Sequence, residues 1–197
     1  MFGDMFGRYR RVLMALVVAG GLSGCALSPQ NIDLEPVVDM NSPTVGLDGP
    51  VTVTVYDERL TPWLGHRGGI YGATNRIGIA NNLQDSVAHA VEKALQEQGM
   101  VPGSSSAAPQ FQVYIDSLSY KVPEGNYVTQ VDLKAAIRVT VQAEGHKYQG
   151  SYSASESHKV VKAPSDAENT KMINSIVGKV LGRMFDDPGL MRFLARL

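Results

Sequence analysis

Between Tyr127 and Ala143 apolar and polar side chains alternate along almost the whole segment, and this constrains the fold more than any other feature of the chain. Val131, Leu133, Ala135, Ile137, Val139 and Val141 fall on one side. Gln130, Asp132, Lys134, Arg138, Thr140 and Gln142 fall on the other. A period of two describes a strand with one dry and one wet face, as in an antiparallel sheet covered on one side. Glu144-Gly145-His146 then turns the chain, and Lys147 to about Val161 returns as a strand with Tyr148, Tyr152 and Ala154 inward. Phe111–Val122 enters the same sheet. Its apolar register runs Phe111, Val113, Ile115 and then shifts to Leu118 and Tyr120, which predicts a bulge near Asp116-Ser117.

The remaining elements follow from the same kind of reading. Val51–Tyr56 is β-branched with period two, a further strand. Leu83, Val87, Val91, Ala94 and Leu95 repeat at helical spacing, with Asn82 as N-cap, Asp85 in the first turn and Gly99 just past the end. A second helix is predicted from about Ser165 to Phe185. Its Gly178 and Gly182 predict close packing on the sheet or a neighbouring helix. Pro188 starts a short last helix with an apolar stripe, a second candidate contact surface. Pro29, Pro36, Pro43 and Pro50 mark residues 25–49 as an extended tether, with a short edge strand at Ile32–Glu35. The order β-α-β-β-β-α-α predicts an α+β two-layer sandwich over residues 50–197. Its sheet is mainly antiparallel, of about four strands, with two longer helices on one face.

The N-terminus reads as a targeting segment. Arg8, Arg10 and Arg11 precede the apolar run Val12–Gly21, which is too short to span a bilayer. It ends in Leu22-Ser23-Gly24-Cys25, which resembles the bacterial lipoprotein box, and Cys25 is the only cysteine of the 197 residues. The resemblance implies cleavage after residue 24, diacylglycerol on the Cys25 thiol and acylation of the new amino group. Met5, in a near repeat of Met1-Phe2-Gly3, is an alternative start. Ala26, rather than aspartate, implies sorting to the outer membrane, with the chain facing the periplasm. Residues 1–24 hold three arginines and one aspartate, so the mature chain carries 15 basic against 18 acidic side chains. That balance excludes a basic nucleic-acid binder and gives the domain as a whole little attraction to an anionic surface. The multiply acylated cysteine supplies the membrane affinity.

Catalytic constellations do not emerge. There is no Gly-x-Ser-x-Gly, His-Glu-x-x-His or Walker sequence. His66, His89, His146 and His158 are widely separated, so no metal site is predicted. Ser86 and His89 share a helix face without a positioned third member. The glycine-rich stretch 57–81 is the strongest candidate site. It holds Asp57, Arg59, the lone Trp63, His66, Arg67, Tyr71 and Arg76 beside a helix N-terminus. Three readings of Arg59, Trp63, His66, Arg67, Tyr71 and Arg76 stand side by side: a lid in which Trp63 covers the core, a partner surface, or a small-anion site.

With these segments laid out, the chain resembles the YajG family of bacterial lipoproteins. The resemblance is carried by the box ending at Cys25, by Ile32-Asp33-Leu34-Glu35-Pro36, and by Val51-x-Val53-x-Val55 followed by Asp57-x-Arg59 and Leu64-Gly65-x-Arg67. The helix Leu83–Gln98 closed by Gly99 and the Tyr127–Val141 strand with its hairpin and helix add to it. It implies a periplasm-facing outer-membrane lipoprotein and brings no catalytic residues. The architecture is also similar to auxiliary lipoproteins of lipid-transport systems. The expectation is a non-enzymatic binding or scaffolding lipoprotein of the cell envelope, with no cofactor beyond the acyl chains on Cys25. Its expected partners are the bilayer, through that anchor, and an envelope protein. The alternative is an accessory protein that binds a lipid, lipopolysaccharide or peptidoglycan fragment.

Overall fold

A computed structural model describes residues 28–41, 46–68, 74–125 and 128–197. Cys25, Ala26, both candidate start methionines and Tyr71 lie outside the described residues. The strands are β1 (Gln30–Ile32), β2 (Pro50–Asp57), β3 (Gly65–His66), β4 (Arg76–Ile79), β5 (Val101–Pro102), β6 (Gln110–Lys121), β7 (Gln130–Ala143) and β8 (His146–Lys159). The helices are α1 (Leu83–Glu97), α2 (Asp166–Phe185) and α3 (Pro188–Leu194).

The expected four-stranded, mainly antiparallel two-layer sandwich is corrected. The described strands form one eight-stranded mixed sheet, strongly curled into a half-barrel, accompanied by three helices. The reason lies in the connections. β2 is followed by α1 before the chain returns as β6, and such a crossover delivers a parallel partner. Thr52–Asp57 pair parallel with Gln110–Ile115. β3 continues along the same edge of β6 through Gly65 opposite Tyr120. β4 pairs antiparallel with β3, and β1 parallel with β4. The β6–β7–β8 meander is antiparallel, and its register shifts between Ile115 and Ser117, where the alternation of the sequence changes. A bulge there sharpens the twist that curls the sheet.

Both longer helices cover one face. Leu83 and Val87 of α1 and Val177, Val180 and Leu181 of α2 meet Ile115, Leu118, Ala135 and Ile137 of the sheet. Phe111 stacks on Phe185 with centroids 6.3 Å apart. The other face is polar. It carries the stacked pair Tyr56–Tyr114, with Arg138 over Tyr114 and ion-paired to Asp116 and Glu58.

Residues 28–41 lie within the fold. Ile32 and Leu34 are fully buried. Two asparagines hold this strap by its backbone from opposite sides. Leu34 N donates to Asn81 Oδ1 at 2.9 Å, and Asn81 Nδ2 donates to Leu34 O at 3.0 Å. Glu35 N donates to Asn174 Oδ1 at 2.7 Å, and Asn174 Nδ2 donates to Asp33 O at 3.0 Å. The strap then crosses α2 at its two glycines: Asp39 N donates to Gly178 O at 3.3 Å. A Cβ on Gly178 or Gly182 would fall well inside contact distance of Val37 O or Asp39 O. The pair of glycines therefore accommodates the N-terminal strap, not the sheet or another helix.

Candidate functional site

The 57–81 stretch becomes the connection from β2 to β3 and the β3–β4 pair. Its cations have three different fates. Arg59 folds back on Asp57, with Nε to Oδ1 at 2.8 Å and Nη2 to Oδ2 at 2.9 Å. This pairing holds the Asp57 carboxyl below its ordinary value. Arg67, only 8% exposed, donates to Ser28 O at 2.8 Å and to Pro164 O at 3.1 Å. Arg76 is exposed and stacks over Trp63, with its guanidinium carbon 4.2 Å from the ring centroid.

The structure therefore does not bring Arg59, Arg67 and Arg76 to one point. What it presents to solvent is a smaller patch. Trp63 is 37% exposed, Leu60 is fully exposed, and His66 sits opposite Arg76 in the β3–β4 register. Leu64, next to Trp63, is the residue of this turn that enters the core. An indole faced by a guanidinium, three residues along the chain from an uncovered leucine, offers flat apolar contact and directed donors together, the chemistry of interface anchors.

Two further features escaped the sequence reading. An open groove of about 730 Å³ runs between the strap at Leu34–Val38 and the outer face of α1. Ser86 and His89 both line it, and Ser86 Oγ accepts from Asn81 Nδ2 at 3.0 Å, so the hydroxyl supports the asparagine that holds the strap. The second feature is a cluster of two phenols on one carboxylate. Tyr148 and Tyr152 donate to Asp187 Oδ2 at 2.6 and 2.7 Å, while Asp187 Oδ1 accepts from Gly189 N at the start of α3. Gly150, between the tyrosines on β8, leaves the space in which their hydroxyls meet at 2.8 Å. Period-two spacing places both rings on one face. Their common partner, some 35 residues later, carries no periodic signal.

This cluster resembles a proton relay in composition but is wired as a brace. Burial pushes the Tyr148 and Tyr152 phenols up, so both donate at neutral pH. Burial also pushes Asp187 up, but the phenol and backbone hydrogen bonds outweigh it and hold the carboxyl below its ordinary value. A carboxyl lowered by folding stabilises above its unfolded value and loses that contribution as pH falls through the folded one. Asp187→Asn is therefore expected to cost roughly 1 kcal/mol at neutral pH and to flatten the acid side of the urea midpoint plotted against pH. Among the described residues, no group of three or more His, Cys, Asp or Glu converges as a metal ion requires.

The curled mixed sheet with its helices on one face is shared with a solved structure from Xanthomonas campestris, a protein of a domain family of unknown function. The two are 9% identical, with a TM-score of 0.51 over 87% of this chain and 97% of that one. The rare lipoprotein B of Shewanella oneidensis is 10% identical, with a TM-score of 0.43 over 74% of this chain and 95% of its own. The class can be stated from sequence: a family model described as "Uncharacterized lipoprotein" matches residues 36–195, and the chain belongs to that lipoprotein family. Its relatives include the uncharacterized lipoprotein YajG of Escherichia coli K12, 23% identical over 94% of this chain and 97% of the relative.

Proposed function

We propose that this lipoprotein is anchored in the outer membrane through an acylated Cys25, faces the periplasm, and acts by binding an envelope protein without catalysing a reaction. Leu22-Ser23-Gly24-Cys25 and Ala26 support the anchor and its address. The Trp63–Arg76 stack, with exposed His66 opposite Arg76 and exposed Leu60 three residues before Trp63, is the observation that carries the binding role. The non-catalytic reading draws on the groups that most resemble an active site. Asp187 is spent on a helix cap and two phenols, and the Ser86 hydroxyl accepts from Asn81. A second reading, accessory binding of a lipid, lipopolysaccharide or peptidoglycan fragment, draws on the groove along α1, whose volume suits a small ligand.

A photo-crosslinking residue at position 66, with position 142 as comparator, tests these readings in cells. A discrete protein adduct at 66, reduced roughly tenfold by Trp63→Ala, is the expected result. A lipid or glycan adduct there would put the second reading first.

A further inference from the structure

The chain leading to the proposed anchor and a cluster of lysines meet at one end of the sheet. The Arg67 guanidinium touches both Ser28 O and Pro164 O. The two carbonyl oxygens are therefore within roughly 8 Å of each other. Cys25 precedes Ser28 by three residues, a reach of at most about 11 Å. The segment joining β8 to α2 thus stands at the anchored end of the domain.

That segment and the first turns of α2 wall an open groove of about 560 Å³. Lys159, Lys162 and Lys171 line it, with Val161 fully exposed among them and Met172 half-buried. Among the described residues Glu168 is the one carboxylate of the lining, and it is turned onto its own helix cap: Oε2 accepts from Ser165 N and Oγ, each at 2.7 Å. His158, also in the lining, lies 3.1 Å from Glu156 Oε2, and Glu156 is neutralised by Lys179 at 2.8 Å. At the other end of the sheet, the groove beside the β7–β8 turn is lined by both Lys147 and Glu144. A net-acidic domain thus carries three lysines here, of which Lys162 feels the Glu168 carboxylate and none forms a contact ion pair with a described residue, with a bare valine among them, where its chain approaches the anchor.

We propose that the face formed by Lys159, Val161, Lys162 and Lys171 docks on the phospholipid surface of the leaflet that holds the anchor. The ammonium groups meet lipid phosphates and Val161 enters the interfacial layer. The inference rests on the proposed acylation of Cys25 and adds an orientation to it. The half-barrel stands on its 159–165 end, and the β7–β8 turn is carried roughly 40 Å away, the length of β8.

The test uses the full-length, acylated protein in vesicles of phosphatidylethanolamine with phosphatidylglycerol as the minor lipid. Acylation consumes the Cys25 thiol, so Val161→Cys supplies a single site for an environment-sensitive dye, and Ser106→Cys supplies the far-end control. The expected result is a blue-shifted probe at 161, quenched by brominated lipid at least about twofold more than at 106. Lys159→Glu, Lys162→Glu and Lys171→Glu together should return it to aqueous emission. Equal, water-like signals at both positions in a protein that floats with the vesicles would overturn the docking face and leave the anchor standing. A blue-shifted probe insensitive to brominated lipid would assign the face to a second copy of the chain and also overturn it. A purified chain that carries no acyl mass and does not float would overturn the anchor itself.

Discussion

Gly182→Ala is expected to destabilise the protein by roughly 3 kcal/mol, although an exposed helix would gain about 1 kcal/mol from the same change. The two effects differ in kind. Helix propensity acts on the backbone freedom of one residue. The steric term acts on Asp39 O, which lies across Gly182 well inside the contact distance of an added methyl. That oxygen belongs to a backbone held on each side, by Asp39 N to Gly178 O and by Asn41 to the Asp186 carboxylate. It cannot retreat without breaking these bonds and lifting the strap, whose Leu34 is fully buried. Gly178→Ala meets Val37 O in the same way and should behave alike. Gly103→Ala is the control: nothing lies within 4 Å of an added Cβ there, and its effect should stay within about 0.5 kcal/mol. Urea midpoints rank the three variants, and limited proteolysis should cut the Gly182 and Gly178 variants first between residues 36 and 41. Stabilisation by Gly182→Ala would mean that the strap does not lie on α2 in solution.

The same strap marks where the sequence stops being legible. Long periodic elements are readable one residue at a time. The β7 alternation, the Asn82 cap of α1 and the span of α2 up to Phe185 are local facts, and the structure contains each of them. The strands that turn a small sheet into a half-barrel are two to four residues long: Gln30–Ile32, Gly65–His66, Arg76–Ile79 and Val101–Pro102. Over so short a run alternation sets no boundary: the edge strand expected at Ile32–Glu35 lies at Gln30–Ile32, and β3 and β5, two residues each, carry no period. Parallel pairing of β2 with β6 is a property of the crossover and leaves no mark on either strand's pattern. The glycines of α2 announced a close approach, but their partner is backbone, which has no residue identity to read. The candidate site was legible to a similar depth. Composition drew attention to 57–81, and the Trp63–Arg76 stack lies there. It could not distinguish an arginine that faces solvent from one that holds distant carbonyls.

Arg67 is the sharpest case of that ambiguity, and its substitution should separate the two roles. Arg67→Met is expected to cost roughly 2–4 kcal/mol, since each hydrogen bond from a charged donor contributes about 1.5–3 kcal/mol and water can recover part of the loss. The bond to Pro164 O is buried and the bond to Ser28 O only partly so, which places most of the penalty at Pro164. Arg67→Lys keeps the charge but replaces a planar fork by a single ammonium, which cannot span both carbonyls. It should recover less than half of the lost stability. Trp63→Ala removes a 37%-exposed ring whose cation partner is itself in water, so about 1 kcal/mol or less is expected. The binding measurement should run in the opposite order. Trp63→Ala should reduce the adduct formed from position 66 roughly tenfold, while Arg67→Lys, assayed where it is still folded, should retain it. Should Arg67→Met leave the urea midpoint unchanged and remove the adduct, Arg67 would be a contact residue of the 57–81 surface and the link from Ser28 to Pro164 would carry no load. The predicted order instead makes Arg67 the clasp that fixes where the N-terminal chain leaves the fold, and so which end of the half-barrel faces the anchor.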